Sequence, residues 1–196
     1  RIGNEITLLG LARPAGLSLR AVAEPYLSSL AAQVGDTVFL SVRHGADSVC
    51  IGRYLGTHSI QVLSIQVGAR RPLGASVSGI ILLAAMDERE AREMTHANQK
   101  RLEGLGLSVK SVMAQVASAR RHGYVYAPQG VMAGTRALAV GVPDASNRVV
   151  GAVSIATLAN RLARDRVRAL VESMREEVRR VTKRITEIEN ARLKAR

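Results

Sequence analysis

The chain has 196 residues, 28 basic against 16 acidic side chains for a formal net charge of +12, and only five aromatic residues. That length can bury one sizeable core but not two large ones, and 47% hydrophobic residues exclude a disordered or fibrous chain. The single cysteine, Cys50, excludes an internal disulfide and a Cys-rich zinc site and fits a reducing, cytoplasmic setting.

The longest apolar run, residues 80–86, is about two helical turns, well short of the roughly 18 apolar residues of a membrane span. The opening Arg1-Ile2-Gly3-Asn4 has no starting Met and none of the features of a signal peptide, so the chain reads as a piece of a longer one. The basic excess invites a nucleic-acid reading. Yet 24 of the 28 basic residues are Arg, and the stretch from Arg161 onward carries 12 basic and 6 acidic groups, or +6, half of the total. Single-strand and groove binders interleave aromatics with such a patch for base stacking, and the tyrosines lie elsewhere. Direct nucleic-acid binding by this stretch is therefore not expected.

Ile6, Leu8, Leu9 and Leu11 predict a short apolar helix, broken by Arg13-Pro14-Ala15-Gly16 and suited to a linker. From Ser18, the spacing of Leu19, Val22, Ala23, Tyr26, Leu27, Leu30, Ala31 and Val34 predicts an amphipathic helix stopped at Gly35-Asp36, with a kink at Pro25. Residues 37–43 and 48–55 alternate about the turn His44-Gly45-Ala46-Asp47 and predict a hairpin. Residues 59–67 predict a third strand and 68–74 a loop. A small apolar helix is expected over 75–86, then one capped by Asp87 and running to about Ala97. A further helix starts at Ser108 and closes at His122-Gly123. Strands are expected over 124–129, 136–142 and 148–157, and a last helix from about Arg164 with Val167, Leu170, Val171, Met174, Val178, Val181, Ile185 and Ile188 on one face. This order predicts an α+β layered domain with one antiparallel sheet of five or six strands, flanking helices and a long C-terminal helix.

Catalytic and metal signatures are missing. The histidines His44, His58, His96 and His122 form no ligand cluster, and no phosphate loop, dinucleotide fingerprint or nucleophile elbow occurs. Cys50 sits mid-strand among apolar residues, as a buried hydrophobe would. The group Asp87, Glu88, Glu90 and Glu93, interleaved with Arg89 and Arg92, reads as a solvated first helical turn. Neither an enzyme nor a cofactor is expected. One constellation remains: Gly74-Ala75-Ser76-Val77-Ser78-Gly79 at a loop-to-helix start offers backbone donors to a carboxylate, and Ser154 and Thr157 could add polar anchors to an otherwise apolar pocket.

Several segments, in order and with matching spacing, resemble the effector-binding domain of IclR-type bacterial transcription regulators. They are Gly16-Leu17-Ser18-Leu19-Arg20 with Ala23 and Pro25; Val67-Gly68, then Arg71-Pro72-Leu73, Ala75, Gly79 and Leu82-Leu83-Ala84; Gly123-Tyr124; Gly134; and Val149-Val150-Gly151-Ala152-Val153-Ser154-Ile155. The resemblance covers essentially the whole chain, with residues 1–16 as a remnant of the interdomain linker helix and 17–196 as the sensing domain. It implies a GAF-like fold that binds a small metabolite and pairs into homodimers or tetramers. It also implies a winged helix-turn-helix domain, absent from this chain, through which the intact regulator meets operator DNA. Ligand would then bias an equilibrium between assemblies with different head geometry.

Carried over residue by residue, the implied pocket comprises Leu73, Gly74, Ala75, Ser76, Ser78, Ala127, Gln129, Arg136, Ala137, Ser154 and Ala156. It departs from the family pattern. Leu73-Gly74-Ala75-Ser76 stands where the family usually has Leu-His-Ala-Thr, and Ile80 stands where a Lys usually follows the helix glycine. Ala127, Gln129 and Gly130 stand for an Asp and two Glu, Ala137 for a Cys, and Ala156 for the second of two serines. These replacements predict a larger, less acidic site that is poor for metal, takes a bulkier and partly apolar effector such as an aromatic acid, and is anchored by Ser76, Ser78 and Ser154. Arg136 is a carboxylate partner if it turns inward. The competing reading is a structural dimerisation module whose degenerate pocket no longer binds an effector.

Overall fold

A computed structural model describes residues 18–194; the helix expected over residues 6–11 lies outside them. The first described helix, α1 (Leu19–Val34), begins where the Ser18 side chain accepts from the Ala21 amide. It ends where Gly35 adopts φ 77° and donates to the Ala31 carbonyl. The helix runs on through Pro25 without a break. Pro25 faces solvent, where water can take up the backbone carbonyl that the ring leaves without an amide partner. Ala23, Leu27, Leu30 and Ala31 form its buried stripe.

Strands β1 (Thr37–His44) and β2 (Asp47–Tyr54) form the expected hairpin about Gly45-Ala46, with an irregularity in the ladder between Leu40 and Ser41. The third strand is not where the alternation of residues 59–67 placed it. Strand β3 (Arg70–Pro72) lies in the segment expected to be loop and pairs with Asp47, Ser48 and Val49. The reason is occupancy of an edge: the Cys50 amide donates to the Ala69 carbonyl and the Gly68 amide to the Cys50 carbonyl. The returning chain thus takes the free side of β2. Residues 59–67 are instead pinned by Gln61, whose amide side chain donates to the carbonyls of Gly35 and His58 and accepts from Thr37 Oγ1 and the Gly56 amide.

Helices α2 (Val77–Ala84), α3 (Glu88–Ala97), α4 (Gln99–Glu103) and α5 (Val109–His122) follow. Their starts obey local capping: Ser76 accepts from Gly79, Asp87 from Glu90, and Ser108 from Ser111. Gly123, at φ 72°, closes α5. The chain then forms β4 (Val125–Ala127), β5 (Thr135–Pro143), β6 (Val149–Leu158), a short 3₁₀ turn (Ala159–Arg161) and the 31-residue α6 (Arg164–Lys194).

The six strands make one antiparallel sheet in the order β3-β2-β1-β6-β5-β4. On one face, α1 and α6 bury Leu27, Leu30, Val171, Met174 and Val181 against Val38, Leu40, Leu138, Val140 and Ile155. On the other, α2, α3 and α5 bury Ile80, Leu83, Ala91, Val112 and Val116 against Ala139 and Ala152. The result is an α+β fold of three layers, with the six-stranded antiparallel sheet and long C-terminal helix that the sequence predicted and the GAF-like arrangement that the resemblance implied.

Candidate functional site

The two faces of the sheet carry different side-chain sizes. Alternation along β5 and β6 sends Leu138, Val140, Val153 and Ile155 toward α1 and α6, where they fill space. It sends Ala137, Ala139, Ala152, Ser154 and Ala156 to the other face. Small residues there leave room that α2 and α5 do not close. The room is a cavity of about 660 Å³, walled by the sheet, the first turns of α2, Gln115 of α5, the turn at Leu105 to Leu107, and the loop that follows β4. That volume falls within the range of small-molecule sites, roughly 300–1,000 Å³.

Nine of the eleven residues expected to form the pocket lie in this wall: Gly74, Ala75, Ser76, Ser78, Ala127, Gln129, Ala137, Ser154 and Ala156. Local chemistry places them. Gly74 takes φ 97°, and a Cβ there would approach Val112 Cγ1 to 2.9 Å, so a glycine permits both the turn and the close approach to α5. The hydroxyl of Ser76 is engaged as the α2 cap. Ser78 donates to Ser154 Oγ at 3.0 Å across the join of helix and sheet.

Two expected residues are elsewhere. Leu73 is fully buried among Ile80, Leu83, Leu102 and Val112, and its carbonyl accepts from Asn98 Nδ2; it supports the wall from behind. Arg136 is not inward. It alternates with Ala137 and so shares the sheet face of Leu138, and its Nη1 donates to the Leu162 carbonyl at 2.6 Å. Thr157, also singled out by the sequence, points away from the cavity and donates to Asp36 Oδ1 at 2.7 Å.

The sequence reading missed Phe39, Leu107, Gln115, Tyr126 and Arg71 as wall residues, and Ile80, named only as a departure from the family pattern, lines the wall as well. Phe39 and Arg71 come from strands that meet the helices only in the folded chain. Arg71 was legible only as part of a family-like segment. Cys50 lies 3% exposed behind the wall with Phe39, Val62 and Ala156, and burial pushes its thiol up from the ordinary range, against nucleophilic use. Among the described residues no group of three or more His, Cys, Asp or Glu side chains could hold a metal, and no helix is long and apolar enough to cross a membrane.

A family model for the bacterial transcriptional regulator IclR C-terminal region matches residues 15–183. The Pca regulon regulatory protein of Pseudomonas putida is 29% identical over 162 residues, covering 82% of this chain and 56% of that protein. The HTH-type transcriptional repressor AllR of Escherichia coli K12 is 27% identical over 183 residues, covering 92% of this chain and 67% of that protein. The chain thus spans roughly half to two thirds of these relatives.

Among solved structures, an IclR homolog from Microbacterium hydrocarbonoxydans complexed with 4-hydroxybenzoate superposes with a TM-score of 0.78. It has 26% identity and covers 94% of this chain and 75% of that one. The C-terminal domain of the E. coli regulator KdgR gives a TM-score of 0.72 at 22% identity, covering 85% and 98%, a likeness of fold alone.

Proposed function

Because the chain belongs to the family of bacterial transcriptional regulator IclR C-terminal domains, we propose that it is the effector-sensing and oligomerising part of a DNA-binding regulator. In this reading residues 17–196 bind a small organic metabolite and residues 1–16 belong to the link with a winged helix-turn-helix domain that meets operator DNA. The regulator works in the cytoplasm as a homodimer or tetramer, and the domain carries no catalysis of its own. The observation that carries the proposal is the open cavity of about 660 Å³ beneath α2, with Ser76, Ser78 and Ser154 in its wall. A cavity of this size favours an effector over a decayed pocket filled by side chains. It also favours a bulkier, partly apolar acid over a two- or three-carbon one.

Ligand sensing follows from linkage. A metabolite that contacts α2, β5 and β6 at once binds best to the arrangement in which those elements stand at the right separation, and so shifts the population toward it. Thermal-shift screening of the purified chain tests the idea, with 4-hydroxybenzoate, other aromatic acids, longer aliphatic acids, and acetate and pyruvate as small controls. A ligand at about 100 times its Kd adds about 2.7 kcal/mol, or roughly 5–10 °C in Tm for a domain of this size. Stabilisation by the two- and three-carbon acids alone overturns the larger-effector reading. Light scattering that finds only monomer overturns the oligomerising role.

A further inference from the structure

The cavity wall contains a single fully ionised side chain, and it is positive. Arg71 stands at the middle of β3, paired in register with Ser48, whose hydroxyl donates to the Arg71 carbonyl. Its neighbour Arg70 lies on the other side of the strand, engaged by Asp47 at 3.2 Å and His44 Nδ1 at 2.8 Å. Asp47, the carboxylate nearest in register, also takes Arg101 at 2.7 Å. Among the described residues, no carboxylate lies within 4.0 Å of the Arg71 guanidinium and no protein group accepts a hydrogen bond from it. The half-buried Arg71 therefore lines the cavity as a cation without an internal counter-charge. None of the wall residues is Asp or Glu, and α2 presents its N-terminal end to the same space, adding potential of the same sign.

We propose that Arg71 is the charge-reading residue of the cavity: its planar guanidinium takes the carboxylate of an organic-acid effector in a two-point contact. The apolar body of that effector rests on Phe39, Ile80 and Leu107. The inference rests on the effector-binding reading above and sharpens it to one ligand class, monocarboxylates with a ring-sized or longer apolar body. Dianions are disfavoured because the wall holds one such cation. Neutral analogues are disfavoured because a partly desolvated guanidinium then stays unmatched.

The test compares acids with their primary amides, which share shape but lack charge: benzoate with benzamide, phenylacetate with phenylacetamide, and octanoate with octanamide. Binding to the full chain is measured by calorimetry. The expected result is that at least one acid binds about 10- to 100-fold more tightly than its amide, the range of one charge-assisted contact. Arg71→Met should remove that preference, Arg71→Lys should restore part of it, and both variants should melt close to the parent because Arg71 has no partner to lose. Equal affinity of acid and amide, or an acid preference that survives in Arg71→Met, overturns the role of Arg71 while leaving the effector reading standing. Absence of binding by every acid and amide overturns both.

Discussion

The hydroxyl of Ser78, on the first turn of α2, donates to the hydroxyl of Ser154 on β6 at 3.0 Å, and both residues are only 4% exposed. Helix and sheet are therefore tied by a polar contact within the wall that also holds Gly74, Ala137 and Ala156. Ser154→Ala should lower stability by about 1 kcal/mol, the net worth of a buried hydrogen bond, or roughly 2–4 °C in Tm. Ser78→Ala in that background should cost little more, because the pair acts as one unit. Thermal melts of the two single variants and the double variant decide it; additive losses would show that the two hydroxyls act independently.

Cavity volume can be separated from stability. Ala137 lies on β5 with its side chain toward the cavity, and Ala137→Phe should occupy space that an effector needs. The expected outcome is a chain that melts within about 2 °C of the parent, since the added ring enters existing room, yet shows no ligand-induced shift. A ligand-induced shift equal to that of the parent would place the binding site elsewhere.

Asp36 joins three elements. At 3% exposure its carboxylate accepts from Thr157 Oγ1 of β6 at 2.7 Å and from Arg166 Nη2 of α6 at 2.8 Å. Arg161 Nη1 lies 2.8 Å away as a charge contact without hydrogen-bond alignment. Arg166 also donates to the Val34 carbonyl, at the end of α1. Asp36→Asn leaves two arginines without their acid. The arginines keep partial access to water, so we expect a loss of about 2–4 kcal/mol, at or below the cost of breaking a fully buried pair. Denaturant unfolding measures it, and a change under 1 kcal/mol would contradict the role assigned to Asp36.

The pH dependence has a definite sign. Burial raises the Asp47 pKa, but the ion pair with Arg101 and the hydrogen-bonded Arg70 outweigh burial and hold the carboxyl below the ordinary range. A carboxyl depressed in the folded state contributes stability that is fully present above its unfolded pKa and is lost as pH falls through the folded one. The loss belongs below about pH 4, the usual unfolded range for Asp. Melting curves from pH 7 to pH 3 should show Asp47→Asn with a lower plateau and a shallower acid decline than the parent. Parallel declines would remove Asp47 as a contributor.

Cys50 provides a local probe of opening. Its thiol is buried, raised by burial, and directed to the Gly52 carbonyl at 3.3 Å. Labelling by an aromatic disulfide reagent at pH 8 should be slow in the native chain and rapid in denaturant. A saturating effector should slow it further, because the cavity wall and the Cys50 cluster share Phe39 and Ala156. Native labelling as fast as a free thiol would refute the burial.

Much of the fold was legible because its signals are short-range. Ser18, Ser76, Asp87 and Ser108 each cap a helix through an amide three residues away, and Gly35 and Gly123 end helices through their own left-handed conformation. The hairpin about Gly45 and the long strands before and after Asp144 follow from alternation and turn chemistry within a dozen residues. The apolar face of α6 follows from helical spacing in the same way. Three arginines of that helix pair with its own acids: Arg175 with Glu172, Arg180 with Glu176 and Glu177, and Arg184 with Glu187. Each such pair is neutral, so the +6 carried from Arg161 onward is the excess of basic over acidic side chains on and beside one helix.

What the sequence by itself determined is therefore most of the elements and their order, since alternation, helical spacing and capping act between near neighbours; Ala127, Ala137 and Ala156 of the cavity wall came from the family resemblance. Tertiary structure alone decided which of two adjacent segments became β3. Residues 59–67 alternate well, but the edge of β2 was taken by the chain just beyond them, and only one strand can fill one edge. It also decided that Arg136 faces α6 while Arg71 faces the cavity. The sign of a side chain is written in the sequence; the side of the sheet on which it stands depends on a register set by strands far away in the chain.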